Sequence, residues 1–215
     1  MSSQNASAAI AEALAPKRQR GRDRVAAILS TATELFAEKG YDAVTMTEIA
    51  ARSSTAIGSL YRFFPTKDVL VTALVERYGA MFGDLLGEVI ERAPEVSGSE
   101  LADALVSIGD SLRSQRAVVL KLIDVPDDGH IRRQQMRTTF KDGLARVLSG
   151  FGKAHYAADD APVVLLLGLL KSIWSFEPDT IPARADYGLE ARRMITLYLA
   201  GLADRGEARG TGEKI

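Results

Sequence analysis

No cysteine occurs anywhere in the 215 residues. That excludes a disulfide framework and a thiolate metal site, and it fits a reducing compartment. Histidine is almost as scarce: His130 and His155 stand alone, each without a neighbouring nucleophile pattern. No glycine-rich phosphate loop and no metal-ligand spacing appears, so the usual requirements of an enzyme are missing and neither catalytic residues nor a cofactor are expected. Asp127-Asp128 and Asp159-Asp160 read as cap and turn residues, not as paired catalytic carboxylates. The longest apolar run, Ala161 to Leu170, is far short of the roughly 20 residues of a membrane helix. The N-terminus lacks the charged-then-apolar order of a signal peptide. A cytoplasmic protein with no membrane partner is the expectation.

What is present is ordinary globular composition, 47% hydrophobic and 26% charged, in a length that accommodates one or two domains. The net charge of −1 hides an asymmetry. Residues 1–67 hold nine Lys and Arg against six Asp and Glu, and the remainder holds eighteen against twenty-two. Much of the excess lies in residues 16–24, with five cations and one anion. Such a run is drawn to phosphate by Coulomb attraction and counterion release; a solvated tail is the plainer alternative.

The apolar periodicity is helical throughout and no clean period-two stretch occurs, so the fold class is all-α. Val25, Ile28, Leu29, Ala32, Leu35 and Phe36 form one stripe, closed by Gly40 as a glycine just past a helix end. A long helix follows Thr66. Ser97 and Glu100 form a capping box ahead of the next helix, from Leu101 to Arg113, and a shorter one covers 117–123 before the break at residues 126–129. His130 to Phe151 is amphipathic, and apolar helices cover 163–174 and 186–203.

Residues 45–67 are the most informative. Thr45 with Glu48 is a capping box, Ile49 and Ala50 face inward, and Ser53-Ser54 breaks the helix. A second short helix runs through Leu60, Tyr61 and Phe64, and Pro65 closes it. Ala56, Ser59 and Arg62 are left to face outward. Two helices crossed about a tight turn, the second presenting short side chains and a cation, form a major-groove reader.

The segment from Arg24 to Leu70 resembles the TetR family of bacterial transcriptional regulators. The resemblance rests on Ile28-Leu29, Ala32, Leu35-Phe36, Gly40-Tyr41, Thr45, Ile49-Ala50, Gly58, Leu60-Tyr61, Phe64, Lys67 and Leu70. It implies a helix-turn-helix domain over 22–82, with the motif at 45–64. Residues 1–21 would be a disordered basic arm, 83–204 a ligand-binding and dimerisation domain, and 205–215 a disordered tail. By this resemblance Thr45 and Thr47 begin the first reading helix, and Ile57, Ser59, Tyr61, Arg62 and Phe63 lie on the recognition helix. Lys67 would grip a phosphate as a point charge. The chemistry fits: Arg reads guanine bidentately, an apolar side chain senses a thymine methyl, and Ser and Tyr suit phosphate.

Where the family usually has Ala-Gly-Val-Ser across the turn, this chain has Ser53-Ser54-Thr55-Ala56. If the turn is kept, Ser54 must take positive φ, and the N-cap of the recognition helix is expected to shift to Thr55. The family's common histidine is Phe63 here, so base preference cannot be copied from a relative. Gly58 is expected to permit close approach, either of a neighbouring helix or of DNA.

The implied partners are an inverted-repeat DNA operator, a second copy joined through helices near 163–174 and 186–203, and a small-molecule effector that releases the repressor. Met81, Phe82, Met136, Phe140 and Trp174, with Leu105, Leu112 and Phe151, are inward-facing candidates for an effector pocket; Arg113, Arg116 and His130 are candidate polar groups. Core packing is the alternative role for these aromatics and methionines. The competing readings are a helical protein–protein adaptor and a small-molecule binder without DNA binding.

Overall fold

The computed structural model describes residues 3–123, 129–152, 154–175 and 184–211, with side chains over 19–123, 130–152, 154–175 and 187–203. The described residues form helices α1 (Ser3–Ala43), α2 (Met46–Arg52), α3 (Ile57–Phe63), α4 (Lys67–Arg92), α5 (Gly98–Ser111), α6 (Arg113–Leu122), α7 (Gly129–Phe151), α8 (Ala161–Ser175) and α9 (Arg184–Thr211), with no strand among them. The all-α fold class holds.

Several boundaries differ from those expected. Helix α1 begins at Ser3, inside the arm expected to be disordered, because alanines at 6, 8, 9, 11, 13 and 15 give that stretch high helix propensity. Helix α9 likewise continues to Thr211, into the expected tail. Helix α6 starts at Arg113, so the break after α5 shrinks to Leu112, whose N–H reaches back to Ile108 O. The break expected at 126–129 falls largely outside the described residues.

The chain divides into two compact units, one of residues 1–76 with 117–128 and one of residues 77–116 with 129–215. The division falls within α4, a few residues before the boundary expected at 82. In the first unit, Ile28, Leu35, Ile49, Leu60 and Leu70 are fully buried, so α1, α2, α3 and the start of α4 share one small core. Gly40 has φ 79° and ψ 169°, a conformation glycine alone tolerates. It kinks the chain so that Tyr41 stacks on Phe36, ring centroids 5.9 Å apart, and Tyr41 Oη donates to Asp68 at 2.7 Å.

In the second unit α5 packs on α8 and α9, α7 packs on α8, and α8 packs on α9. The Ser97 capping box is complete: Ser97 N–H donates to Glu100 Oε2 at 2.8 Å and Glu100 N–H to Ser97 Oγ at 3.3 Å. Those bonds hold the Glu100 carboxyl below the usual carboxylate range. Among the described residues no helix is long and apolar enough to cross a membrane, and no group of three or more His, Asp or Glu is arranged to hold a metal.

Candidate nucleic-acid interface

The geometry of α2 and α3 follows from their caps. Thr45, extended at φ −108° and ψ 154°, accepts from the Glu48 N–H at 3.2 Å and starts α2. The Glu48 carboxylate pairs with Lys39 of α1, which it takes in place of the return bond expected of a capping box. Arg52, at the other end of α2, binds Glu38 of α1 through both terminal nitrogens at 2.7 Å. This fork holds the Glu38 carboxyl below its ordinary range. Two cross-helix ion pairs thus fix α2 on α1, although exposed pairs of this kind contribute little stability individually.

The turn keeps its shape without glycine. Ser54 sits at φ 51°, the one described non-glycine residue with positive φ, as a retained turn requires. The expected N-cap at Thr55 is not observed. Thr55 is buried and its hydroxyl donates to Ser53 O at 3.3 Å, while Ala56 occupies the N-cap of α3 with no side-chain bond. The α3 start is therefore left uncapped by burial of the hydroxyl one residue too early. Ala56→Ser should supply the missing acceptor and raise stability by about 1 kcal/mol, read as a rise in Tm; Ser54→Gly should act in the same direction by removing left-handed strain of roughly 1–2 kcal/mol. No change in Tm for either would show that the turn carries no such cost.

Helix α3 presents two kinds of position. Leu60 and Phe64 are buried. Ile57, Gly58, Tyr61 and Arg62 are exposed and lie within about 140° of one another around the axis at 100° per residue. Ile57 and Tyr61 are 42% and 47% exposed, large apolar surfaces left outside on a helix held rigidly from behind. The Arg62 guanidinium lies 5.2 Å from the centroid of the Phe63 ring, within cation–π range. Ser59 and Phe63 are only half-buried flank positions, so Ser59 does not share the outward face on which it was expected. Thr45 and Thr47 are exposed at the start of α2, and the Thr45 hydroxyl keeps its proton free to donate after accepting from Glu48.

Gly58 settles a choice left open by the sequence. A Cβ built there meets nothing within 4 Å, so no neighbouring helix requires the glycine.

Lys67 is placed otherwise than expected. Its ammonium donates to Tyr41 O at 2.7 Å and Val44 O at 2.9 Å and lies 4.0 Å from the Tyr41 ring centroid. The group satisfies carbonyls left by the kink at Gly40, and so acts as a clasp between α1 and α4. Lys67→Ala should cost roughly 1.5–3 kcal/mol, the range for hydrogen bonds to a charged group. Its salt dependence of DNA binding should stay parallel to that of the parent; a slope lower by about one per subunit would restore a phosphate contact.

Of the effector candidates, Phe82, Phe140 and Trp174 come together. The Phe82 and Phe140 centroids are 3.9 Å apart, and Trp174 meets Phe82 edge-on at 5.7 Å. Tyr78 joins at 6.3 Å from Phe140 and its hydroxyl pKa is pushed up to about 12, chiefly by burial. The Trp174 Nε1 is buried without a partner among the described residues. Met81 and Met136 are half-buried. Leu105 and Leu112 are fully buried core residues.

Residues 28–74, which span α2, α3, most of the helical core behind them and the start of α4, match the model of the bacterial regulatory proteins of the tetR family. Over that segment this chain is similar to the TetR-family regulators. An HTH-type transcriptional repressor of Mycobacterium tuberculosis is 44% identical over 96 residues, 42% of this chain and 51% of that protein. The DNA-binding transcriptional repressor TetR of Mycobacteroides abscessus is 28% identical over 149 residues, covering 69% of this chain and 70% of that protein. The chain spans about half the length of the first of these relatives and more of the second. The solved structure of the transcriptional regulator FadR from Bacillus subtilis, in complex with stearoyl-CoA, superposes with a TM-score of 0.62 at 16% identity, over 79% of this chain and 96% of that one. That likeness shows a shared all-helical fold extending beyond the matched N-terminal segment.

Proposed function

We propose that this chain is a TetR-family regulator, a cytoplasmic, homodimeric transcriptional repressor that binds an inverted-repeat DNA operator and is released by a small-molecule effector. The observation that carries it is the outward face of α3: Ile57, Tyr61 and Arg62 exposed beside a glycine that packing does not require. An apolar residue, an aromatic hydroxyl and a guanidinium on one rigid helix suit a thymine methyl, a phosphate and a guanine. On this reading residues 22–82 are the DNA-binding domain and 83–204 the effector and dimerisation domain, with no catalytic function. The M. tuberculosis and M. abscessus relatives are both named as repressors, which supports repression over activation.

The dimer rests on α8 and α9. Leu165, Leu189 and Leu197 are 57%, 65% and 66% exposed. Ile173, Ala191 and Met194 line an open apolar depression with Leu197. Apolar side chains exposed on two adjacent helices suit one half of a four-helix interface. FadR was solved with a fatty acyl thioester, and a helical unit with a buried aromatic cluster is suited to an apolar effector of that general kind.

The test is a fluorescence-anisotropy titration against DNA fragments flanking the protein's own gene. Tight binding to one fragment, weakening steeply with salt, is expected. Absent or salt-insensitive binding to all of them overturns the reading and leaves the adaptor or the non-DNA ligand binder.

A further inference from the structure

Three arginines of α1 stand outside the ion pairs that hold the first unit together. Of the seven cations between residues 19 and 76, Lys39 pairs with Glu48, Arg52 forks onto Glu38, and Lys67 clasps two carbonyls. Arg62 lies on the outward face of α3. Arg20, Arg22 and Arg24 remain, all exposed, and among the described residues none of them forms an ion pair. The one acid in their midst, Asp23, accepts instead from the Gln19 amide at 2.7 Å, and Gln19 accepts in turn from Arg22 at 2.9 Å. Arg20 and Arg24 are thus left without a counterion, one helical turn apart, where like charges repel.

Their direction follows from the helix. Gly40 is the one interruption of helical backbone in α1. Arg20 precedes Glu38 by about five full turns, or 27 Å, and so shares its side of α1, and Arg24 is about 40° from that line. Glu38 and Glu34 mark the side on which α2 lies, because Arg52 of α2 binds the first at 2.7 Å and approaches the second at 3.8 Å. Arg20 and Arg24 therefore extend positive charge along the helix-turn-helix side of α1, ahead of the residues that touch α2. We propose that Arg20 and Arg24 grip phosphates of the operator duplex beyond the bases read by α3. Exposed guanidinium forks match phosphate oxygens in pairs, and a helix already ordered loses little freedom on making the contact. Phosphates carry no sequence information, so the contact adds affinity without specificity. The inference rests on the DNA-binding reading of α3.

The experiment uses the full chain and compares the double variant Arg20→Gln/Arg24→Gln with the parent by anisotropy. Titrations run across a salt series, on the DNA fragment the parent selects and on a random duplex. A second double variant, Arg92→Gln/Arg146→Gln, removes the same charge from exposed positions of the second unit. The α1 variant is expected to bind both duplexes at least about tenfold more weakly at low salt, with a salt slope shallower by about two per subunit. Its melting curve should match the parent's, since glutamine keeps the helix propensity. The second-unit variant should keep the parent's slope. An unchanged slope in the α1 variant overturns the contact, as does an equal loss in both variants. A loss confined to the selected fragment would make these arginines readers of sequence and would also overturn it. A parent that binds neither duplex removes the reading of α3 and the contact together, whereas a parent that binds with an unaltered α1 variant removes the contact alone.

Discussion

Arg62→Ala is expected to abolish discrimination of the operator while leaving the attraction to random DNA nearly intact. Removing a bidentate base reader costs about 1–3 kcal/mol, and a symmetric dimer loses it twice, so operator affinity should fall by at least ~30-fold. Arg62 is exposed, its guanidinium resting near the Phe63 ring, and no fold-stabilising contact is lost beyond that stacking. Thermal stability should therefore remain close to that of the parent. Gly58→Ala supplies the complementary case, with opposite signs for fold and function. Alanine in a helix interior stabilises by roughly 0.5–1 kcal/mol over glycine, and open space around Gly58 means nothing in the fold offsets that gain. A methyl on the outward face should instead weaken the operator complex. Anisotropy titrations on operator and random duplexes, paired with melting curves, read both effects. Equal losses on the two duplexes for Arg62→Ala would remove the base-reading role.

Gly109→Ala is expected to produce the largest loss of stability of any single methyl added to this chain's described glycines. A Cβ at Gly109 of α5 would lie 1.8 Å from Trp174 Cδ1, 2.2 Å from Nε1 and 2.4 Å from Cγ. These are ring atoms, not the end of a flexible chain. The indole also meets Phe82 edge-on, and Phe82 in turn rests on Phe140, so movement of the ring disturbs a packed aromatic cluster. Overpacking a tight core costs about 1–3 kcal/mol and sometimes more, and the helix-propensity gain recovers up to about 1 kcal/mol. A net loss of about 2–3 kcal/mol corresponds to a fall in Tm of roughly 5–10 °C at this chain length. Adding Trp174→Leu should recover part of the loss, because the two sites share one contact. By contrast, Gly143→Ala meets only the Leu86 side-chain end at 2.2 Å, which can rotate away. A Tm for Gly109→Ala equal to the parent's would mean that the indole is free to move and that this aromatic cluster is not a packed core.

Much of this organisation is legible in the amino-acid sequence. The stripe from Val25 to Phe36, Gly40 as its stop, and the short helices around 45–64 follow from apolar spacing and cap chemistry, all local in the chain. The strain at Ser54 is legible for the same reason: the turn demands positive φ whichever residue occupies it. Local rules fail where a side chain has two plausible partners. Thr55 is placed to cap α3, but its burial turns the hydroxyl to Ser53 O. Lys67 is placed to face phosphate, but the kink at Gly40 brings the Tyr41 and Val44 carbonyls within its reach. The Gly109–Trp174 contact joins α5 to α8, and no pattern in either helix announces it. Helix propensity in the alanine-rich N-terminus outweighs the charge composition that suggests an arm without structure.

The proposed repression would depend on a two-fold pair of α3 helices reading adjacent turns of one duplex face. Hydroxyl-radical footprinting on the DNA fragment selected by anisotropy tests that pairing most directly. Two protected half-sites of inverted sequence, centred about 10 base pairs or a multiple apart, are the result expected of the homodimer, and Arg62→Ala should erase both together. A single protected half-site, or protection that follows no inverted repeat, would contradict it.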